Sequence, residues 1–261
     1  MIFDPNSLLT IEELTIPRTP TELARWVESK CRLFADHPEA KEWVLLHQGL
    51  SKKFHEEIYP LSLFATHLYT GRSDIQCIPN LNESDFDAII LDYSMSPPSE
   101  LKVEITYAVD GYDHHLRMKF FLMHGSVNVL GTLSASKTEN RDHVIDVENE
   151  AIDYNDLLKR TCWLIRSRVE RKSIPNKPQR FGQGHVLIVV IDDWQWFRFA
   201  QDTEALKDFV KKEVLTLPLA FAALYLVGLS GKTFIHFELA KSQDSDQEAG
   251  GKPSQRESNC R

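Results

Sequence analysis

Acidic side chains lie on two short segments whose β-branched and aromatic residues predict neighbouring antiparallel strands, residues 86–91 and residues 101–107. Side chains alternate between the two faces of a strand, so Asp85 and Asp87 share one face at the first segment. On the second segment Lys102, Glu104 and Thr106 share one face. Carboxylates that converge from two strands to about 4–6 Å repel each other unless a proton or a hard cation such as Mg²⁺ neutralises them. The sequence therefore predicts a Mg²⁺ site, where a bound cation would hold phosphate and lower the pKa of a water.

This layout resembles the PD-(D/E)xK nuclease superfamily, whose restriction-endonuclease-like core runs helix, three-stranded meander, helix, strand. Asp87 resembles the acid on the second core strand of that family, and Asp85 is the alternative in register. Glu104 resembles the acid of the (Asp/Glu)-x-Lys motif on the third strand, 17 positions after Asp87. The resemblance covers roughly residues 40–130 by motif and reaches residue 240 by element order. It implies that Asp87 and Glu104 are catalytic residues that bind Mg²⁺ and activate a water.

A third acid is expected from the helical segment that precedes the strands. The strongest helical pattern of the chain runs from Glu39 to Tyr69, and it contains the sequence Lys53-Phe-His-Glu-Glu-Ile-Tyr-Pro-Leu. Glu57, or its neighbour Glu56, resembles the glutamate that the family often contributes from its first helix. The resemblance therefore implies a supporting catalytic role for Glu57.

The chain departs from the family at the lysine of the motif. Thr106 occupies that position and supplies no cation. Lys102 lies on the same face of the strand and is the first candidate for the missing catalytic lysine. Two alternatives lie on the following helix, Lys119 and Arg117. A literal match, Glu100-Leu-Lys102, lies at the edge of the strand, and we rank it below the Glu104 register because a charged residue within an apolar strand pattern needs a reason.

Two functions follow from these patterns. The first is metal-dependent hydrolysis of phosphodiesters in nucleic acid, in an active or a degenerate form. The alternative is a non-catalytic interaction module on an inactive nuclease-like core, which the threonine at position 106 favours. Independently of both functions, Asp87 and Glu104 have a purely structural interpretation as solvent-facing residues of alternating strands, with Glu56 and Glu57 on a solvated helix face. The expected partner of a nuclease-like core is nucleic acid or a protein, and the resemblance alone implies a homodimer.

Other charged and histidine residues are weaker candidates for a functional site. Asp192 and Asp193 follow a continuous apolar run, where they form a second acidic site or cap a turn. His114 and His115 are consecutive on a predicted helix, so their side chains point about 100° apart and do not chelate one ion together. Basic residues crowd a long predicted helix towards its end, where they balance the helix dipole or contact phosphate: Arg160, Arg166, Arg168, Arg171 and Lys172.

The elements that position these residues predict an α/β (α+β) fold, with a mixed central sheet flanked by helices and an N-terminal helical segment. Residues 1–20 are punctuated by prolines and predict a surface arm, and Thr21 is the predicted N-cap of the first helix. Residues 21–240 predict a single nuclease-like domain, and residues 241–261, rich in Ser, Gln, Asp and Gly, a disordered tail. The remaining predicted elements are helices at 39–69, 112–123, 146–172 and 203–215, strands at 86–91, 101–107, 127–133, 186–191, 221–227 and 233–239, and a polar loop at 134–143.

Composition limits the class of protein, its partners and its location. The 261 residues are 42% hydrophobic and 26% charged, which is an ordinary globular composition for one domain. The formal net charge of −8 argues against general coating of nucleic acid by charge, although one basic groove is compatible with it. The four cysteines have no short zinc spacing. The sequence has no signal-like N-terminus and no apolar stretch of about 18 residues, so we expect a cytoplasmic protein with no membrane partner.

Overall fold

The computed structural model describes residues 4–82, 86–127, 132–137, 143–148, 153–173, 184–193 and 200–239 of the chain. Within these residues a six-stranded mixed sheet has helices on both of its faces, and two further strands form a separate hairpin. This architecture confirms the predicted fold class.

The N-terminal part of the chain is helical up to residue 69. Its elements are, in order, a 3₁₀ turn at Pro5–Ser7, α1 (Ile11–Thr15), α2 (Pro20–Ala35), a 3₁₀ turn at Pro38–Ala40, α3 (Lys41–Leu45), α4 (Leu50–Lys53), a π-helical turn at Phe54–Ile58 and α5 (Tyr59–Tyr69).

The strands follow, with further helices between them. Their order is β1 (Ile75–Pro79), β2 (Ala88–Asp92), β3 (Ser99–Tyr107), α6 (Gly111–His124), β4 (Thr132–Lys137), β5 (His143–Glu148), α7 (Tyr154–Lys172), β6 (His185–Ile191), α8 (Ala200–Phe209) with a π-helical turn at Val210–Val214, β7 (Ala223–Gly228) and β8 (Phe234–Glu238). The sheet order is β1-β2-β3-β6-β7-β8, in which β3, β6 and β7 are parallel and the outer pairs are antiparallel. Strands β4 and β5 form the separate antiparallel hairpin.

The central strand β6 explains why the sheet has two covered faces. Its residues 186–191 are all apolar and buried, which confirms the prediction of a strand covered on both sides. Val186, Ile188 and Val190 pack with the N-terminal helices, and the alternate residues pack with α7 and α8. Because β6 pairs in parallel with β3 on one side and β7 on the other, their carboxyl ends meet at the same edge of the sheet.

Residues 4–20 contain regular helical turns and buried leucines where their prolines predict a surface arm without regular elements. Leu9 and Leu14 are fully buried, and a capping box between Thr10 and Glu13 starts α1. Arg18 forms a β-bridge with a residue of β1: its N–H donates to the Cys77 carbonyl, and the Cys77 N–H donates back. The segment therefore covers the outer edge of β1, and each buried leucine holds it there with about 2 kcal/mol.

The start of α2 corrects the prediction by two residues. The helix begins at Pro20, directly after Thr19, and not after Thr21. The Thr19 hydroxyl accepts from the Glu22 N–H (3.4 Å), and the Glu22 carboxylate accepts from the Thr19 N–H (2.9 Å). Proline is favourable at the first helical position because its ring already fixes a helical φ and its missing N–H would have no helical partner there.

We expect Thr19→Ala to lower the free energy of unfolding by about 1 kcal/mol, because it removes the N-cap hydroxyl. Thr21→Ala, at an exposed helical position, should change it by less than about 0.5 kcal/mol. Urea unfolding of both variants measures the difference. Equal losses in the two variants would contradict the observed helix start.

Three segments fold differently from their prediction. β1 was not predicted, since it is only five residues long and ends in a proline. β4 includes the first residues of the segment predicted as a loop, 134–143. β5 includes the first residues of the segment predicted as a helix, 146–172. α7 begins only at Tyr154, where the Asp153 carboxylate accepts from the Asn155 N–H (2.7 Å). Residue-by-residue pairing of β4 with β5 outweighs the local helical spacing, as strand pairing commonly does.

Some expectations fall on residues outside the described ranges. Asp85 and the tail at 241–261 are among them, and the strand predicted at 127–133 overlaps them in part. Among the helices that the structure describes, none combines the length and the apolar character needed to cross a membrane.

Candidate active site

A cavity of about 760 Å³ lies at the edge of the sheet where the parallel strands end. Its floor includes Ile105, Thr106 and Tyr107 of β3, and its walls come from the α3–α4 loop, the π-helical turn and the start of α6. Ligands of open α/β sheets commonly bind at this edge. The charged and histidine side chains that line the cavity are His47, Lys52, His55, Glu56, Glu57, Asp87, His114, His115, Arg168 and Asp192.

Asp87 reaches the cavity from the residue just before β2. Its N–H donates to the carbonyl of Val103 (2.8 Å), the residue that pairs with Ala88, so Asp87 lies outside the regular β2–β3 register. Its carboxylate Oδ2 accepts from the Ile105 N–H (2.7 Å). The side chain thus supplies the hydrogen-bond acceptor for the Ile105 N–H near the end of β3. Asp87 is therefore a cavity-lining carboxylate in a fixed position.

Glu57 reaches the same cavity from the π-helical turn on the other side. Its Oε1 accepts from Lys53 Nζ (2.6 Å), but its Oε2 is buried and has no hydrogen-bond partner among the described residues. Burial raises the pKa of Glu57 to about 7; the contact with Lys53 opposes this rise, and the nearby Asp87 carboxylate adds to it. We call Glu57 and Asp87 the acid pair, because each carboxylate is close enough to act on the other electrostatically.

Glu104 does not join the acid pair. Its neighbours Val103 and Ile105 pack with the N-terminal helices, so the Glu104 side chain lies on the opposite face of β3. There it is 3% exposed, and its carboxylate accepts from Lys172 Nζ at the end of α7. Glu104 is not among the cavity-lining residues that the structure describes. The structure therefore separates two carboxylates that were predicted to hold one metal ion.

Lys102 also lies away from the cavity. Its Nζ is 3.6 Å from the Glu100 carboxylate and 5.2 Å from the centre of the Phe86 ring. Thr106, where the resemblance led us to expect a lysine, does line the cavity. The predicted role of Lys102 beside the acids is thus not supported by its position.

The two other candidates for the missing lysine, Arg117 and Lys119 on α6, are also not among the described residues that line the cavity. Arg117 is buried and donates from Nε to an aspartate of its own helix (2.7 Å). The cations that do line the cavity are Lys52 and Arg168. Arg168 Nη2 donates to the Val109 carbonyl (2.6 Å), which fixes the guanidinium between α7 and the residues after β3.

Three histidine rings form one wall of the cavity. The ring of His47 stacks on that of His55 (5.1 Å between centroids, 7° between planes) and lies 5.6 Å from that of His114. His47 Nδ1 is 3.2 Å from the Glu56 carboxylate, and burial lowers the pKa of His55 to about 4. Sequence reasoning missed His47 and His55, since neither belongs to a spaced motif, although His55 stands next to the predicted glutamates.

The two aspartates after β6 have different roles. Asp193 is buried and accepts from both the N–H and the hydroxyl of Ser230 (2.8 and 2.6 Å), so it caps the turn after β7. A Cβ at Gly228 would lie 2.1 Å from Asp193 Oδ2, so this close approach requires glycine. Asp192 lines the cavity. The turn-capping alternative therefore holds for Asp193.

Comparisons of the chain with protein-family models, with curated proteins and with solved structures find no match. Within the described residues, no set of three or more His, Cys, Asp or Glu side chains is arranged to hold a metal ion. The function is therefore inferred from the acid pair and the cavity around it.

Proposed function

We propose that the protein hydrolyses phosphodiester bonds of nucleic acid with a divalent cation such as Mg²⁺, and that the cavity is its active site. The observation that carries this proposal is the acid pair. Two carboxylates from separate elements meet in one cavity, and Glu57 Oε2 has no hydrogen-bond partner in the described part of the chain. A buried polar atom without a partner is costly, and a cation that prefers oxygen ligands would remove that cost.

The donor chemistry of the acid pair fits Mg²⁺. Both members are oxygen ligands, and Asp87 is already held by the Ile105 N–H. Mg²⁺ is usually bound through one or two carboxylates and keeps several waters, so it needs no third protein ligand. Glu57 and Asp87 are therefore the residues that would hold the ion. This proposal differs from the sequence prediction in the metal ligands, where Glu57 and not Glu104 is the partner of Asp87, and in the cations, where Lys52 and Arg168 replace Lys102.

A bound divalent cation lowers the pKa of a water and offsets negative charge on a phosphate. The side chains of the protein supply the charges that hold the cation and the phosphate. Asp87 and Glu57 supply negative charge at fixed positions, and Lys52 and Arg168 supply positive charge for phosphate oxygens. Arg168 donates one of its five N–H groups to the Val109 carbonyl. This contact orients the guanidinium, whose other N–H groups point in other directions.

The order of the elements supports the proposal independently of the cavity. α5 precedes the antiparallel meander β1-β2-β3, and β6 then pairs in parallel with β3. Helices α6 and α7, with the hairpin β4–β5 between them, connect the meander to β6. This is the order of helix, meander, helix and strand that the resemblance to PD-(D/E)xK nucleases implies.

A non-catalytic module that binds nucleic acid or a protein is the second candidate. Thr106 supplies no ammonium group, and Lys172, which contacts Glu104, lies on the far face of β3. These two observations favour a nuclease-like core that binds without turnover. The candidate is distinguished from the first by cleavage, not by affinity.

Calorimetric titration with Mg²⁺ and with Mn²⁺ tests the cation site. We expect heat of binding from the wild type and none from Glu57→Gln or Asp87→Asn, because each variant removes one carboxylate of the acid pair. Glu104→Gln should keep the heat, since the Glu104 carboxylate contacts Lys172 instead. Loss of heat in Glu104→Gln but not in Glu57→Gln would make Glu104 the ligand.

Labelled single-stranded and double-stranded oligonucleotides of DNA and RNA test the reaction. Cleavage that requires Mg²⁺ or Mn²⁺ and stops with EDTA supports the proposal. Binding of an oligonucleotide without cleavage, in a protein that binds the metal, would favour the non-catalytic module. Absence of metal-binding heat in the wild type would contradict the proposed cation site.

A further inference from the structure

The turn that carries Glu57 has an uncommon backbone. Phe54–Ile58 is π-helical, with the Tyr59 N–H donating to the Phe54 carbonyl five residues earlier. Such wide turns are rare and are often found at functional sites. In a wide turn some backbone groups lose their regular helical hydrogen bonds, so other groups have to provide hydrogen-bond partners for them.

The two ends of this turn and its middle have different surroundings. Phe54 and Ile58 are fully buried in the core formed with the N-terminal helices. The three residues between them, His55, Glu56 and Glu57, line the cavity. The core therefore anchors the ends of the turn, whereas the carboxylate of the acid pair lies on its middle part.

Tyr107 joins that middle part to the sheet. Its hydroxyl donates to the carbonyl of His55, two residues before Glu57. Tyr107 is the last residue of β3, and two residues earlier on the same strand the Ile105 N–H donates to the Asp87 carboxylate (2.7 Å). One strand thus donates to the Asp87 carboxylate and to the backbone of the turn that carries Glu57.

We infer that Tyr107 is a positioning residue for the proposed cation site. Its hydroxyl holds the π-helical turn against β3 and so sets the place of the Glu57 carboxylate relative to Asp87. The inference rests on the proposed function, since it assigns Tyr107 to the same site. Metal ligands are generally oriented by partners that do not touch the metal, and loss of such a partner weakens binding about 10-fold or more.

Tyr107→Phe tests this role, and Tyr59→Phe is its matched control. Tyr59 also lines the cavity, and its hydroxyl donates to a backbone carbonyl, that of Leu229 (3.0 Å). Both variants lose one hydroxyl hydrogen bond to the backbone and keep the ring, so a general effect on stability should be similar in both. Two readouts are compared: hydrogen exchange of residues 54–58, and the dissociation constants of Mg²⁺ and Mn²⁺ measured by calorimetry without substrate.

We expect Tyr107→Phe to accelerate exchange in residues 54–58 and to raise the metal dissociation constants about 10-fold, with Tyr59→Phe close to wild type in the metal measurement. Unchanged exchange in Tyr107→Phe would overturn the inference, because the turn would then not depend on the hydroxyl. Faster exchange with unchanged metal affinity would overturn the link to the site while leaving the proposed function intact. If the wild type binds no metal, the proposed function fails, and this inference fails with it.

Discussion

Asp87→Asn is expected to lower the rate of phosphodiester hydrolysis about 100-fold or more while the protein stays folded. The Asp87 carboxylate has two tasks, one as an acceptor for the Ile105 N–H and one as negative charge in the cavity. Asparagine keeps an oxygen that accepts the Ile105 N–H, so the contact with β3 survives. It carries no charge, so the ligand for the cation is lost.

Initial rates of oligonucleotide cleavage and the melting temperature are measured for Asp87→Asn and for a control on the same strand. Asp92 lies at the other end of β2, where its carboxylate accepts from Arg72 (2.7 Å). Asp92→Asn therefore makes the same chemical change away from the cavity, and its cleavage rate should equal that of the wild type. An equal fall in both variants, or a wild-type rate in Asp87→Asn, would remove Asp87 from the proposed active site.

The acid pair shows which part of the site the sequence could predict. Glu57 and Asp87 are 30 positions apart, and each was chosen because it resembles a family acid, on an element that a local pattern predicted: a helical repeat for the segment of Glu57 and strand alternation for that of Asp87. Glu104 was chosen by the resemblance and preferred to Glu100 because a charge in an apolar strand needs a partner. The partner is Lys172, 68 positions further along, and that contact depends on how α7 crosses the sheet. No local pattern encodes such a crossing.

The fold shows the same division between local and distant information. The apolar run of β6 predicted a covered central strand, because every one of its residues has to be buried. The capping box of Thr10 and Glu13 was also present in the sequence and would have predicted α1. The bridge between Arg18 and Cys77 was not predictable, since it joins residues of no shared pattern across the edge of the sheet.

The other large effect is expected at Glu57, and its direction follows from the pKa of the carboxyl. Burial raises this pKa from 4.5 to about 7 in the folded protein, whereas the unfolded chain keeps an ordinary value. Between these two pH values the folded protein holds a proton that the unfolded chain has released. The stability of the wild type therefore falls as the pH rises through this range, and the loss is complete above it. Glutamine has no charge to bury at any pH, so Glu57→Gln avoids the loss.

We expect Glu57→Gln to be more stable than the wild type near pH 8 by about 1–2 kcal/mol, a value reduced for the partial exposure of the side chain, and to match it near pH 4. Urea unfolding in EDTA measures both. Glu56→Gln is the matched control, because the Glu56 carboxylate lies 3.2 Å from His47 and its side chain is 36% exposed. That control should gain no stability near pH 8. Equal or lower stability of Glu57→Gln near pH 8 would contradict a buried charge that Lys53 compensates only in part.

Mg²⁺ should reverse the order of the two proteins. A cation that binds only the folded wild type raises its free energy of unfolding by about 2.7 kcal/mol at about 100 times the dissociation constant. This exceeds the gain of about 1–2 kcal/mol expected for Glu57→Gln in EDTA, and the variant, which lacks one ligand, should gain little from the cation. The wild type would then be the more stable protein at high Mg²⁺ and the less stable one in EDTA. Equal stabilisation of both proteins by Mg²⁺ would exclude Glu57 as a ligand. If the wild type is instead less stable than the variant in EDTA and more stable in Mg²⁺, the buried Glu57 charge lowers stability in exchange for binding the cation.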